Sequence, residues 1–216
     1  MSLQPLLFAE PGYTVQAIPT GDAKWLILNR HYARRMPSIS YAFGLFRDGD
    51  LAGVITYGIP PSPNLMIGVA GAEWRDHVIE LNRLVLVNNE PNEASRLIGG
   101  SLRQMRGPLI IVSYADTAQD HIGKVYQATN WLYTGMSDAH VEWRLDGIPT
   151  TSHDRHMWDS YGGIDNAKQQ LGDRLQRHER SRKHRYIQLI GNRKEKRAMR
   201  EALRYEIASY PKLEGN

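Results

Sequence analysis

From Tyr13 to Ile18 the chain alternates apolar and polar residues and then meets Pro19, which predicts a strand with a defined end. A helix follows, with Asp22 as its cap and Trp25, Leu26, Leu28 and Tyr32 along it, running toward Pro37, where it must stop. Tyr41-Ala-Phe-Gly-Leu-Phe, the turn Arg47-Asp48-Gly49-Asp50 and Leu51-Ala-Gly-Val-Ile-Thr-Tyr predict an antiparallel hairpin, because an Asp-Gly pair supplies the positive backbone angles of a tight turn. After the loop Gly58-Ile-Pro-Pro-Ser-Pro, the run Val78 to Val87 reads as a central strand. It is interrupted by Glu80, Asn82 and Arg83.

Asn89-Glu-Pro-Asn-Glu has the residues of a helix start, and Ala94 to Met105 supplies the helix, closed by Gly107-Pro108. Leu109 to Ala115 is the most apolar strand, followed by a polar loop from Asp116 to Ile122 and a helix from Gly123 to Trp131. Val141 to Leu145 predicts a late strand, Gly147 to Gly163 a polar loop, Lys183 to Leu189 a further strand, and Asn192 to Tyr205 a basic helix.

The predicted class is α/β of the α+β kind, a mixed central sheet flanked by helices. Its order, with the first helix between strands one and two, resembles the GNAT superfamily. That resemblance implies a glycine-rich loop after the fourth strand whose backbone N–H groups face the coenzyme A pyrophosphate. Here the loop from Asn88 to Glu93 has no glycine and carries two carboxylates, and Gly99 and Gly100 come too late in the helix. Arg96 and Arg103 are what remains for the phosphates of acetyl-CoA.

With 216 residues, 41% of them hydrophobic, the chain can bury a sizeable core. The absence of cysteine excludes disulfides, thiolate metal sites and a cysteine nucleophile. The start, Met1 to Gly12, has no basic stretch followed by a long apolar run, which predicts a cytoplasmic protein. Net charge is only +4, yet Lys168 to Arg204 holds 13 Lys/Arg against 4 Asp/Glu, leaving the remainder acidic. We expect a catalytic core over residues 1–150 and a basic C-terminal extension over 151–216, packed on the core and contacting a polyanion. Arg180, Arg182, Lys183, Arg185, Arg193, Lys194 and Arg197 would neutralise phosphates, and Tyr186 would add a stacking surface.

Candidate chemistry gathers where the best strand runs into its loop, Ser113-Tyr-Ala-Asp-Thr, with Tyr126 on the next helix. Polar groups at the carboxyl end of such a strand face the crevice where open α/β sheets bind ligands. Asp116 can act there as base or metal ligand, or merely cap its turn, and Tyr114 and Tyr126 can move or orient a proton or pack in the core. Glu80 and Arg83 need a partner or a cleft, since an unpaired buried charge is costly. A strict two-residue period puts Glu80 and Asn82 on one face and Arg83 on the other; Arg83 could pair with Asp116 if their strands are neighbours. His31 and Tyr32 are eligible for a pocket, while His153 and His156 lie in a Gly- and Ser-rich loop that offers no metal geometry.

His31-Tyr-Ala-Arg-Arg-Met-Pro, Leu81-Asn-Arg-Leu-Val, Ser113-Tyr-Ala-Asp-Thr, Tyr126-Gln-Ala-Thr-Asn-Trp-Leu-Tyr-Thr-Gly and Lys183-His-Arg-Tyr together resemble the phage Mom family of DNA adenine modification proteins. The resemblance implies an enzyme that converts the exocyclic amine of adenine in double-stranded DNA to a carbamoylmethyl amine and so hides the DNA from host restriction. Arg83, Asp116 and Tyr126 match positions associated with activity, His31 is a further candidate, and Tyr126, Trp131 or Tyr114 would receive an extruded base. The resemblance also implies iron and acetyl-CoA; without cysteine, the iron would fall to His31 with carboxylates such as Glu80 or Asp116, given the imidazole and oxygen preferences of such a metal. An acyltransferase acting on a protein or small molecule, and a non-catalytic DNA-binding module, are the competing readings.

Overall fold

The computed structural model describes residues 12–148 and 157–212. The expected features at the extreme N-terminus and at His153 and His156 fall outside the described residues. Seven strands form one sheet: β1 (Tyr13–Ala17), β2 (Tyr41–Arg47), β3 (Asp50–Gly58), β4 (Val78–Leu86), β5 (Leu109–Asp116), β6 (Leu132–Met136) and, entering between β5 and β6, a strand from the C-terminal region. That strand is Lys183–Ile190, and it follows a separate hairpin of β7 (His140–Leu145) and β8 (Leu175–Arg180), so it is β9. Spatial order is β1-β2-β3-β4-β5-β9-β6. Among the described residues only β4 and β5 are parallel, over Val78–Glu80 against Ile110–Val112. The expected mixed sheet flanked by helices is what the chain forms.

Helices cover both faces. On one, α3 (Glu93–Gln104) and α4 (Lys124–Ala128) pack over Phe43, Leu45, Ile55, Tyr57, Ile79, Leu81 and Ile111, and Tyr126, Trp131 and Tyr186 extend the same cluster. On the other, α1 (Thr20–Arg30) sets Ala23, Leu26 and Ile27 on Val54 and Val85. Beside it, α2 (Pro63–Ala70) and α6 (Arg193–Ala202) set Val69, Ala70 and Met199 on Val78, Ile110, Val112, Ile187 and Leu189. A short helix, α5 (Ile164–Leu171), accompanies the β7–β8 hairpin.

Several expectations are corrected. The first helix stops at Arg30, so His31 and Tyr32 stand in the loop beyond it; it starts at Thr20, leaving Asp22 in its first turn rather than at its cap. Pro63 opens an unforeseen helix, α2, whose cap is the Ser62 side chain accepting from the Leu65 N–H. The helix expected up to Trp131 ends at Ala128, and β6, β8 and α5 emerge from stretches with no strong period. The late strand at Val141 pairs with β8, outside the main sheet. The basic C-terminal helix forms with Asn192 and Glu195 closing a capping box, but it ends at Ala202 rather than running on to Tyr205. The chain after α6 then crosses the sheet edge, where the Ala208 N–H donates to the Tyr133 carbonyl at 2.9 Å.

Candidate active site

Along β4, Val78 belongs to the apolar cluster under α2 and α6, and Val85 belongs to the cluster under α1. The residues between them on that face are polar, and a β-bulge decides which they are. Thr56 pairs with Arg83 and Tyr57 with Leu81, so Asn82 is the extra residue. Past the bulge the side-chain alternation reverses: Ile79 and Leu81 join the α3 side, and so do Leu84 and Leu86. Glu80 and Arg83 therefore point to the same face. A strict two-residue alternation separates them, and the bulge brings them together.

Asn82 pins its surroundings, accepting from Thr56 Oγ1 at 2.7 Å and donating to the Ser38 carbonyl at 2.8 Å. The loop over residues 31–40 thus lies across the sheet at Gly58, where a Cβ would stand 1.9 Å from the Ser38 oxygen. Arg83 holds the same loop through Nη2 to the Arg35 carbonyl at 3.2 Å, while Nη1 donates to the Asn82 carbonyl at 2.6 Å. Its buried Nε has no hydrogen-bond partner among the described residues. Burial, with the Arg35 charge adding to it, lowers the pKa of the Arg83 guanidinium.

Two side chains face this arginine. Glu80 is half-buried, and among the described residues its carboxylate takes no hydrogen bond or ion pair. Burial raises its pKa, while Arg83 and Lys183 pull the other way. His31 is lowered to about 4 by burial and by the Arg83 charge, so the ring is neutral near pH 7. Its Nδ1 accepts the Ala33 N–H at 3.0 Å, which leaves the proton on Nε2. Tyr32 stacks on this ring, centroids 4.4 Å apart, and is 60% exposed.

Across the opening, β5 separates from β4 beyond the Glu80–Val112 rung. Ser113 Oγ bridges the gap, hydrogen-bonding the Leu81 carbonyl at 3.0 Å and the Tyr126 hydroxyl at 2.8 Å. Burial pushes Tyr126 up to about 12, and burial likewise raises Tyr114. Asp116 lies four residues past that rung, roughly 13 Å along the strand, and Arg83 is not its partner. Asp116 instead accepts from Ser181 Oγ at 2.5 Å and the Ala118 N–H at 3.0 Å and pairs with Lys183 Nζ at 2.9 Å. Burial opposes ionisation there, but these hydrogen bonds and the lysine charge win and hold the carboxyl below the usual carboxylate range.

The structure therefore brings together His31, Glu80 and Arg83, with Tyr126 and Tyr114 at the margin, and places Asp116 apart. Among the described residues no three His, Asp or Glu side chains gather as a metal site, so His31, Glu80 and Asp116 do not form the expected iron ligand set. The end of α3 is also taken: the buried Glu93 carboxylate accepts the Glu90 N–H at 3.0 Å and the Tyr13 hydroxyl at 3.2 Å. Arg96 lies over the Tyr13 ring, and with Glu93 in place the residues do not build a pyrophosphate cradle. Trp131 and Tyr126 are too buried to receive a base.

Of the residues expected to contact DNA, Arg185 and Tyr186 are held in the fold instead. Arg185 is buried, donating to Thr134 Oγ1 and the Thr134 carbonyl and lying over the Tyr205 ring at 3.4 Å. Tyr186 is fully buried with its hydroxyl on the Ile122 carbonyl. Lys183 is tied to Asp116. Arg180 pairs with Glu142, and Arg182 donates to the Ser137 carbonyl, while both stay exposed. Arg193, Lys194 and Arg197 remain open to solvent, lining a groove of about 730 Å³ with Lys196 and Arg200. Tyr32, eligible for a pocket on its sequence together with His31, stands at the site in the loop beyond α1 rather than on the helix, stacked on the His31 ring.

Residues 12–212 match the Mom protein family model. The chain is 33% identical over 139 residues to methylcarbamoylase Mom of Escherichia phage Mu, a match covering 62% of this chain and 57% of that protein's length. Among solved structures it is similar to an N-acetyltransferase from Staphylococcus aureus Mu50, with TM-score 0.45 and 10% identity over 82% of this chain and 97% of the other. A GNAT-family acetyltransferase from Streptococcus pneumoniae gives 0.44 and 10% over 83% and 100%. An acetyltransferase from Salmonella typhimurium, solved with its cofactor acetyl-CoA, gives 0.43 and 9% over 82% and 94%.

Proposed function

Because the chain belongs to the Mom protein family, we propose that it is a phage DNA-modifying enzyme that converts the exocyclic amine of adenine to a carbamoylmethyl amine and protects the DNA from host restriction. The observation that carries this reading is the Glu80 carboxylate, which among the described residues takes no hydrogen bond or ion pair, set beside a neutral His31 and an arginine fixed by backbone carbonyls. Such a group is suited to accept a hydrogen bond from an amine and to take its proton.

Residues take their roles from their positions. Glu80 faces the amine. His31, with its proton on Nε2, donates to the reacting group, and Arg83 orders the loop and adds its charge to the burial that keeps His31 neutral. Tyr126 and Tyr114 stay protonated and close the polar end of the opening. Asp116 fastens the chain at Ser181 and Lys183 and acts on the site through that fastening. No step is assigned to iron, since the residues do not assemble ligands for it, and none to acetyl-CoA.

Duplex DNA is the proposed partner. Arg193, Lys194 and Arg197 bind its phosphates from the α6 groove, with Arg180 and Arg182 nearer the site. No helix of the described residues is long and apolar enough to cross a membrane, and the proposed substrate places the protein in the host cytoplasm.

Expression in a bacterial host, digestion of its DNA to nucleosides and mass spectrometry of the adenine nucleosides test this reading. A new adenine mass in the wild type that disappears in Glu80→Gln supports it. Unchanged DNA in cells holding folded protein would transfer weight to the acyltransferase reading, and acetyl-CoA turnover without DNA would be its signature.

A further inference from the structure

We propose that the stacked His31–Tyr32 pair is the platform that receives the extruded base, with Tyr32 as the stacking surface and Arg83 as the residue that positions it. This rests on the adenine-modification reading. A base inside a duplex cannot present its exocyclic amine to a half-buried carboxylate, so it must leave the stack and regain stacking on the enzyme. Three of the aromatics near the opening cannot offer a free face. Trp131 is fully buried, Tyr126 is 8% exposed and hydrogen-bonded to Ser113, and Tyr186 is sealed in the core. Tyr32 is 60% exposed and held from behind by the His31 ring at 4.4 Å, with 30° between the planes.

The platform is fixed. His31 is locked by the Ala33 N–H, and farther along the loop Arg83 holds the Arg35 carbonyl and Asn82 the Ser38 carbonyl. It also faces the right groups, since Tyr32 and Glu80 both lie within electrostatic range of Arg83 and of Tyr126. A purine resting on Tyr32 would therefore lie in the neighbourhood that Glu80 and Arg83 share. A face-exposed tyrosine backed by a second ring gives up little conformational entropy on binding, which suits a receiving surface.

The test uses purified full-length protein and a single-stranded oligonucleotide carrying one 2-aminopurine, whose fluorescence falls when the base stacks. Wild type, Tyr32→Phe and Tyr32→Trp should quench it. Tyr32→Leu, similar in bulk but without a π face, should lose most of the quenching while binding the strand with affinity within roughly two- to three-fold, because phosphate contacts dominate that affinity. Modified adenine in host DNA should fall roughly ten-fold in Tyr32→Leu, the scale of one base–aromatic contact, and stay near wild type in Tyr32→Phe. Equal quenching by wild type and Tyr32→Leu, or none by either, overturns the platform. Unmodified DNA from the wild type would instead count against the adenine reading, and the quenching would still decide the platform.

Discussion

Arg83 Nη2 donates to the main-chain carbonyl of Arg35 at 3.2 Å, so the strand that carries Glu80 also holds the loop that carries His31 and Tyr32. A second donor on the same guanidinium reaches the Asn82 carbonyl, and a lysine cannot span both acceptors with one ammonium. Arg83→Lys should therefore keep the charge and lose the geometry. Adenine modification should drop roughly ten- to a hundred-fold, the scale of a displaced catalytic group.

Removing the charge has a separate signature at His31. Burial is the larger cause of its depressed pKa, near 4, and the Arg83 charge is the second. In Arg83→Gln the His31 titration followed by NMR should move upward and still lie below 6.5, because burial remains. An unmoved titration would mean that the two groups are not coupled.

Glu80 should trade stability for function. Its pKa is raised by burial above the usual 4.5, so the folded state binds the proton more tightly than the unfolded chain. The protonated form's advantage is complete below 4.5 and is lost as pH rises through the folded value. At neutral pH the ionised group is thus a cost, and Glu80→Gln should melt at the same temperature as wild type or higher, the gap closing in acid. Modification should nevertheless vanish. A large loss of stability at neutral pH would show that the carboxylate has a partner it lacks here.

Asp116 should behave in the opposite way. Its folded pKa is lowered, so its contribution is present above the usual 3.8 and disappears as pH falls through the folded value. Asp116→Asn should cost about 1.5–3 kcal/mol at pH 7, the range for hydrogen bonds to a charged group, and progressively less in acid. Denaturation at both pH values checks this. If Asp116 acts through its fastening, Ser181→Ala should reproduce part of the activity loss, whereas a base acting alone would leave Ser181→Ala fully active.

The sheet was largely legible because its strands announce themselves: Leu109 to Ala115 is continuously apolar, and Asp48-Gly49 marks the hairpin. The short elements β6, β8 and α5 lack any sustained period, and tertiary pairing rather than local propensity makes them. The site was half legible. His31, Glu80, Arg83 and Tyr126 could be picked out as polar or aromatic residues in apolar surroundings, but their grouping could not. One inserted residue, Asn82, reverses the alternation of β4, and no pattern of side chains reveals a bulge in advance. Arg185 and Tyr186 failed for the complementary reason: a basic run reads as surface, yet β9 enters the middle of the sheet and buries them.

That burial separates two kinds of basic residue by experiment. Arg193, Lys194 and Arg197 are exposed on α6, and their joint replacement by Ala should weaken DNA binding regardless of sequence. The slope of log affinity against log salt should flatten by about 0.9 for each phosphate that the variant no longer neutralises, with the melting temperature nearly unchanged. Arg185→Ala should do the reverse, because it removes the guanidinium that packs on Tyr205 and satisfies Thr134. Its melting temperature should fall while the salt slope of the folded protein stays that of wild type. A flattened slope in Arg185→Ala would mean that the buried arginine reaches DNA after all. An unchanged slope in the triple variant would move the DNA path to Arg180 and Arg182.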